Sequence, residues 1–196
     1  MRIIEMSMKD VHRSLDTKRW QIVKVARTQS IAEHSFMVAM LVERLCHLLH
    51  LGNDDTLRAI RYALHHDLPE VYTGDLPTPL KSLGGGAVKE AISDFESVVE
   101  LNDRPLMDDD PFITSIIKAA DLIESVLFLR DNAMTDHGKR IKANIMDRIQ
   151  SMVNDWSNAE YFDWPTSGEM ASVVLILLDE VLDGGETTLD DILGSP

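Results

Sequence analysis

Residues 66–81 read His-Asp-Leu-Pro-Glu-Val-Tyr-Thr-Gly-Asp-Leu-Pro-Thr-Pro-Leu-Lys, and this stretch decides how the rest of the chain is interpreted. It starts with the adjacent pair His66-Asp67 at the end of a predicted helix. It continues as a predicted loop over residues 71–79, where two prolines and a glycine disfavour regular structure. Neighbouring side chains on a helix point about 100° apart. Both members of the pair therefore reach one common point only if that point lies over the end of the helix.

A second histidine and a distant aspartate complete a set of side chains typical of a metal site. His34 lies inside one predicted helix, and Asp121 lies in the apolar run Ile-Ile-Lys-Ala-Ala-Asp-Leu-Ile of another. A carboxylate in such a run is costly to bury without a partner, and a metal ion is one possible partner. Imidazoles and carboxylates suit Zn, Mn, Fe, Co or Ni. An ion held in this way makes hydroxide near neutral pH, and hydroxide attacks phosphorus esters.

Each of these residues also has a purely structural interpretation. A single histidine in a helix is more often a core or surface residue than a ligand, and Asp121 alone could be a cap or a salt-bridge partner. His65, next to His66, is the second candidate for the same ligand role. The metal hypothesis depends on the order of the four residues along the chain.

The remaining pattern predicts a nearly all-helical chain with few strand signals. Ser30 and Glu33 form a predicted capping box for a helix that ends near Gly52, and Asp54 or Asp55 starts the next helix, which runs to His66. Apolar spacing predicts further helices over residues 87–101, 113–127, 138–156 and 170–182. We expect one all-α domain over residues 1–196.

Length and composition limit the classes of protein to which the chain can belong. The chain has 196 residues, of which 44% are hydrophobic, enough for one globular domain with a sizeable core. It has no apolar run of 18 residues, so we expect no membrane partner. Cys46 is the only cysteine, so an internal disulfide is impossible, which fits a reducing cytosol.

Charge is unevenly distributed along the chain. The net charge of −14 disfavours general nucleic-acid binding. Residues 1–30 contain seven lysines and arginines against three acidic residues, so this segment carries +4 and the rest carries −18. The segment is either a site for a small anion or a solvated basic helix face.

The order of His34, His66-Asp67 and Asp121 resembles the HD-domain phosphohydrolases, which carry these residue types on a helical bundle. Three stretches are similar to the bacterial 5′-deoxynucleotidase branch: Lys18-Arg19-Trp20, Ala26-Arg27-Thr28 with Glu33-His34-Ser35, and the run 66–81. The small phage-type dATP triphosphohydrolases share the same motifs. The likeness covers about residues 10–130 and implies an all-α HD-domain helical bundle.

The resemblance implies a role for each matching position. The expected ligands of one divalent transition metal (Zn, Co or Mn) are His34, His66, Asp67 and Asp121. The expected catalytic acids, for protonating the leaving 5′-oxygen or orienting water, are Glu70 and Asp75. The expected substrate-binding residues are Arg19 and Lys81 for phosphate oxygens, and Trp20, Ile22 and Pro79 for the base and sugar. Trp20 would clash with a 2′-hydroxyl, and its structural alternative is a half-buried core aromatic.

We therefore expect an enzyme that hydrolyses dATP to deoxyadenosine and triphosphate at the bond between the α-phosphorus and O5′. Further possible substrates are dADP and dAMP, and the reaction would clear dATP from the nucleotide pool. The expected setting is the cytoplasm, that of the host if a phage encodes the chain, and the expected assembly is a homo-oligomer. The alternatives are a 5′-deoxynucleotidase acting on several deoxynucleoside monophosphates and a non-catalytic deoxynucleotide sensor.

Overall fold

The computed structural model describes residues 2–77, 79–80, 85–106, 109–158 and 167–184, and its regular structure is almost entirely helical. The elements, in chain order, are β1 (Ile4–Glu5), α1 (Met8–His12), a 3-10 turn (Arg13–Leu15), α2 (Ile31–Leu48), α3 (Asn53–His65), α4 (Glu70–Thr73), α5 (Gly85–Glu96), β2 (Val99–Glu100), α6 (Pro111–Asn132), α7 (Asp136–Asn158) and α8 (Ser167–Asp183). The predicted all-α bundle is confirmed.

The long helices pack around one apolar core. Helix α2 packs against α3, α6 and α8, and α7 packs between α6 and α8. Fully buried side chains from these helices fill the centre, among them Leu45, Ile116, Ile123, Ile149 and Leu177. Burial of such side chains contributes roughly 1.5–3 kcal/mol each. The core therefore fixes α2 and α6 side by side, and these two helices carry His34 and Asp121.

The start of α2 follows the predicted capping box. The Ser30 hydroxyl accepts a hydrogen bond from the Glu33 backbone N–H at 3.2 Å, and Glu33 Oε2 accepts one from the Ser30 backbone N–H at 2.7 Å. Both bonds satisfy backbone donors that the first turn of a helix leaves unpaired. His34 follows in the first turn of α2, so the cap fixes its position.

Two predicted boundaries are wrong. The predicted loop over residues 71–79 includes the helical turn α4, because Pro69 has a φ of −56° that suits a helix start, and Gly74 ends the turn at a φ of +73°. The helix predicted to reach Leu101 ends at Glu96. Residues Val99–Glu100 instead pair in parallel with Ile4–Glu5, a contact between distant parts of the chain that local periodicity does not encode.

None of the helices in the described ranges combines the length and the apolar character needed to cross a membrane.

Candidate metal centre and substrate cleft

The four residues that the sequence singled out as ligands meet at one point. His34 comes from the first turn of α2, His66 and Asp67 directly follow α3, and Asp121 comes from the middle of α6. One ligand atom each from His34, His66 and Asp121 lies within 4.8 Å of the others. Asp67 Oδ2 lies 3.4 Å from His34 Nε2 and 3.3 Å from His66 Nε2, and Asp121 Oδ1 lies 3.5 Å from His34 Nε2.

Hydrogen bonds orient both imidazole rings. His34 Nδ1 lies 2.5 Å from Glu124 Oε2, and His66 Nδ1 lies 2.7 Å from the Ala63 carbonyl oxygen. Since both partners only accept hydrogen bonds, each Nδ1 carries the proton. The two Nε2 atoms are buried and have no hydrogen-bond partner within the described residues. Both rings therefore present their second nitrogen to the aspartates.

The charged groups of this cluster shift one another's pKa. Burial and Arg19 lower the pKa of His34, but the nearby carboxylates of Asp121, Asp67 and Glu124 outweigh both and raise this pKa to about 10. Burial raises the pKa of Asp121, yet the charge of Lys118 and the contact with His34 hold it far below its usual range. Burial likewise opposes a low pKa at Asp67, but His66, His34 and Arg19 hold it well below normal. Without a metal, the cluster keeps its proton on His34 and its negative charge on the two aspartates.

Two cations contact the carboxylates of the cluster. Arg19 Nη1 donates to Asp67 Oδ2 at 2.7 Å, its Nη2 lies 3.9 Å from Asp121 Oδ1, and only 11% of its side chain is exposed. Lys118, one turn before Asp121 on α6, donates to Asp121 Oδ2 at 2.6 Å and is half exposed. Arg19 therefore offsets the negative charge of the two aspartates on the buried side of the cluster, and Lys118 offsets it on the solvent side.

A cleft of about 1340 Å³ opens over these residues. Its floor contains His66, Asp67 and Asp121, and Glu70 and Asp75 also line it. Trp20, Ile22 and Pro79 line it as well. Trp20 stacks in parallel on Phe128 with ring centroids 5.8 Å apart, and its backbone has a φ of +63°, which is uncommon for a residue with a side chain. The indole therefore packs on Phe128 at the edge of the cleft.

A family model described as "YfbR-like: 5'-deoxynucleotidase YfbR-like" matches residues 8–163. The chain belongs to this YfbR-like family. The resemblance to the 5′-deoxynucleotidase branch of the HD phosphohydrolases is thereby confirmed, and with it the prediction of a phosphohydrolase enzyme.

Individual relatives cover different parts of this YfbR-like chain. It is 32% identical to the dATP triphosphohydrolase of Acinetobacter phage SH-Ab 15497, with 96% of this chain and 98% of that protein covered. It is 33% identical to the 5'-deoxynucleotidase YfbR of Escherichia coli O127:H6, with 46% of this chain and 45% of that protein covered. The YfbR-like chain therefore resembles the phage protein over nearly its full length and the bacterial one over about half.

A solved structure has the same fold as the YfbR-like chain. It is the HD phosphohydrolase of Cyanophage S-2L, bound to dA and one catalytic Zn²⁺ ion. The TM-score is 0.78 at 24% identity, with 94% of this chain and all of that chain covered. This likeness confirms the predicted HD-domain helical bundle.

The structure of the YfbR-like chain brings most predicted site residues together. The same cleft is lined or underlain by the predicted ligands, both predicted acids, Arg19 and the three pocket residues. Lys81 lies outside the described residues. His65 is outside the metal cluster; burial and Arg61 lower its pKa.

Of the cations in residues 1–30, Lys18 donates to the Leu15 carbonyl oxygen and Arg27 to Glu33. Arg19 is the one from that segment that lines the described cleft.

Sequence reasoning missed three buried or half-buried partners of the site: Gln29, Lys118 and Glu124. A signal for two of them was present. Lys118 and Glu124 lie three residues before and after Asp121 in an otherwise apolar helix, so they share its face. Glu124, like Asp121, is a carboxylate among apolar residues and so needs a partner when buried. Nothing in the sequence distinguished Gln29.

Proposed function

We propose that this chain hydrolyses deoxyadenosine nucleotides between the α-phosphorus and O5′, converting dATP to deoxyadenosine and triphosphate. One observation carries the proposal: two imidazoles, whose buried Nε2 atoms have no hydrogen bond within the described residues, converge with two aspartates at a cleft that Trp20, Ile22 and Pro79 also line. The phage relative that matches over nearly the full length is named a dATP triphosphohydrolase. The proposed role of the reaction is to remove dATP from the nucleotide pool of the cytoplasm.

The donor set fits a divalent transition metal. The residues that would hold it are His34, His66, Asp67 and Asp121, which together offer two nitrogens and carboxylate oxygens suited to Zn, Co or Mn. The buried Nε2 atoms support this assignment, because they have no hydrogen bond within the described part of the chain and a buried ring nitrogen needs a partner. When bound, a divalent ion there lowers the pKa of water and polarises a phosphoryl oxygen.

Metal uptake is expected to release a proton from His34. A ligating histidine must be neutral at the coordinating nitrogen, and the pKa of His34 is about 10 in the metal-free protein. Because this folded-state pKa is raised, protonated His34 stabilises the metal-free fold fully below about pH 6.5, and that stability is lost as the pH rises through about 10. At pH 8 we expect about one proton released per ion bound. Calorimetry in two buffers of different ionisation enthalpy measures this number, and heats that do not depend on the buffer would contradict it.

The cations beside the ligands would hold the anionic substrate. Arg19 presents a planar guanidinium that is already aligned with Asp67 and Asp121, so its remaining N–H groups would meet phosphate oxygens next to the metal. Lys118 adds a positive charge on the solvent side of Asp121. Together they would offset the charge that spreads over the phosphoryl oxygens in the transition state. Lys81 is proposed for the same task from the sequence.

The leaving O5′ requires a proton, and Glu70 is the proposed donor. Its side chain is 7% exposed and lines the cleft beside His66 and Asp67. Burial lowers the pKa of the Arg19 guanidinium, but the charges of Asp67, Asp121 and Asp75 raise it, and Asp75 also lines the cleft. Asp75 is therefore the second candidate, either as the acid or as the residue that orients water.

Trp20 is proposed to select deoxyribose. Its indole is fixed between Phe128 and a hydrogen bond from Nε1 to Gln29 Oε1 at 2.8 Å. A wall that is held on both sides does not give way easily to an additional 2′-hydroxyl. Ile22 is 51% exposed and Pro79 is also exposed, so both offer apolar surface to a base.

The alternative function is a 5′-deoxynucleotidase that acts on several deoxynucleoside monophosphates, and the bacterial relative carries that name. A triphosphate adds two anionic groups that need cationic partners or solvent. Besides Arg19, the described cleft is lined by Lys89, Lys118 and Arg148, together with acids such as Glu70, Asp75 and Glu96; the three additional cations are the groups that would meet the outer phosphates of a triphosphate.

A substrate panel separates these functions. The metal-loaded protein is incubated with each dNTP, each dNMP and ATP, and the products are separated by chromatography. We expect triphosphate and deoxyadenosine from dATP and no turnover of ATP. Phosphate from every dNMP, with the dNTPs unchanged, would establish the nucleotidase. Binding without any turnover would establish a deoxynucleotide sensor.

We also propose that the chain forms at least a homodimer. The α6 helix is buried in the core and supplies no large free face. Apolar side chains are instead exposed on α2, at Phe36, Met37 and Met40, and on α8, at Leu175 and Ile176. Light scattering of the wild type beside Phe36→Ser tests the proposal, because a monomeric wild type would overturn it.

A further inference from the structure

A continuous chain of hydrogen bonds runs from the cleft wall to the metal cluster. Trp20 Nε1 donates to Gln29 Oε1 at 2.8 Å, Gln29 Nε2 donates to Glu124 Oε1 at 2.5 Å, and Glu124 Oε2 lies 2.5 Å from His34 Nδ1. Gln29 is 1% exposed, Glu124 4% and His34 0%. Gln29, Glu124 and His34 are therefore shielded from solvent, so water does not replace their hydrogen-bond partners.

The chemistry of the two ends fixes the orientation of the Gln29 amide. An indole nitrogen only donates, and a carboxylate only accepts, so the carbonyl oxygen of Gln29 must face Trp20 and its amino group must face Glu124. Glu124 then receives one donor on each oxygen, from Gln29 and from His34. This arrangement leaves one ring orientation for His34, with its Nδ1–H on Glu124 and its Nε2 aimed at the aspartates.

Gln29 is also connected to the backbone near both ends of this series of hydrogen bonds. Its carbonyl oxygen accepts a hydrogen bond from the Arg19 backbone N–H at 2.9 Å, next to Trp20 with its φ of +63°. It directly precedes Ser30, the residue that caps α2 ahead of His34. One residue is therefore tied to the substrate wall, to the proposed phosphate-binding arginine and to the start of the ligand helix.

We propose that Gln29 is a positioning residue that couples occupancy of the deoxynucleoside pocket at Trp20 to metal binding by His34. This inference rests on the proposed function, since it takes His34 as a ligand and Trp20 as part of the pocket. A nucleoside that seats against the indole restrains Trp20 further, and the hydrogen bonds through Gln29 and Glu124 pass that restraint to the His34 ring. By thermodynamic reciprocity, the metal then tightens the nucleoside by the same factor.

The test compares Gln29→Leu with a matched control elsewhere. Leucine is similar in size but forms neither hydrogen bond, and Gln150→Leu makes the same change on the exposed face of α7. Zn²⁺ affinity of the metal-stripped full chain is measured by chelator competition. Loss of an outer partner of a metal ligand typically weakens metal binding about 10–100-fold, and we expect about 10-fold for Gln29→Leu and no change for Gln150→Leu. The visible spectrum of the Co²⁺ form should also shift in Gln29→Leu alone.

Coupling is measured with 2′,5′-dideoxyadenosine, which has no 5′-oxygen to touch the ion. In the wild type we expect this nucleoside to raise Zn²⁺ affinity by about 5-fold or more, within the usual range of coupling between sites. Gln29→Leu should remove the increase. Trp20→Phe keeps an aromatic ring on Phe128 but removes the N–H, and it should reduce the coupling even if Gln29→Leu fails to fold.

The outcomes separate the inference from the function on which it rests. A wild type that takes up no divalent ion overturns both. A wild type that binds Zn²⁺, with unchanged affinity and unchanged coupling in Gln29→Leu and Trp20→Phe, overturns the inference alone. A purely structural role for Gln29 predicts a lower unfolding temperature with the coupling preserved, and that result also overturns it.

Discussion

His66→Ala is expected to abolish hydrolysis of deoxynucleotides while the chain still folds. His66 follows α3 rather than lying in the apolar core, and its buried Nε2 has no hydrogen bond to any residue that the structure describes. Removing it takes away one of the two proposed nitrogen ligands. Stabilisation of phosphoryl charge by a metal accounts for several kcal/mol of barrier, so the rate should fall on the order of 10³-fold or more. Turnover of dATP, Zn²⁺ uptake and circular dichroism together measure the result.

The neighbouring histidine provides the matched control. His65→Ala removes an imidazole from the last position of α3, and this side chain is not part of the metal cluster. We expect it to keep Zn²⁺ binding and most of the wild-type turnover. Wild-type turnover in His66→Ala would show that the metal site is misplaced, and equal losses in both variants would show that the helix end, not a ligand, is what matters.

The sequence predicted those parts of the site that have a local signal in the chain. The helices that carry the ligands have local signals, such as the capping box of Ser30 and Glu33 before His34, and the structure confirms that box. Asp121 was found because a charge in an apolar run needs a partner. The adjacency of His66 and Asp67 predicted a point over a helix end, and the structure has both side chains directed there.

The rest of the site depends on contacts that the sequence does not encode locally. Gln29 precedes α2, and Glu124 lies on α6, 95 positions later in the chain. Only the packing of α2 against α6 brings them together, so no spacing rule predicts their hydrogen bond. The same limit explains why β2 was not predicted, because its partner β1 lies far away in sequence, close to the first residues. The α4 turn was missed for a different reason: Gly74, Pro77 and Pro79, which predicted the loop, all follow Thr73 at the end of the turn, and Pro69 before it suits a helix start.

Glu70→Gln is expected to lower kcat while metal binding is retained. The substitution preserves size and removes the acidic proton at a buried position beside the proposed ligands. General acid catalysis typically contributes about 10²–10⁴-fold to a rate, and we expect a loss in that range with a small change in KM. Steady-state kinetics with dATP and Zn²⁺ competition measure both parts. Unchanged turnover would remove the assigned role of Glu70.

A change of leaving group decides which of the two acids protonates O5′. An alkoxide needs a proton as it leaves, whereas 4-nitrophenolate is stable as an anion, so 4-nitrophenyl phosphate does not need the acid. If Glu70 is the donor, Glu70→Gln should lose far less activity on 4-nitrophenyl phosphate than on a deoxynucleotide, and Asp75→Asn should lose activity on both. The reverse pattern would assign the acid to Asp75, and Glu70 would then act on water or on the geometry of the cleft. Equal losses on both substrates in both variants would show that neither carboxylate donates the proton, because a residue that only shapes the site affects the two leaving groups alike.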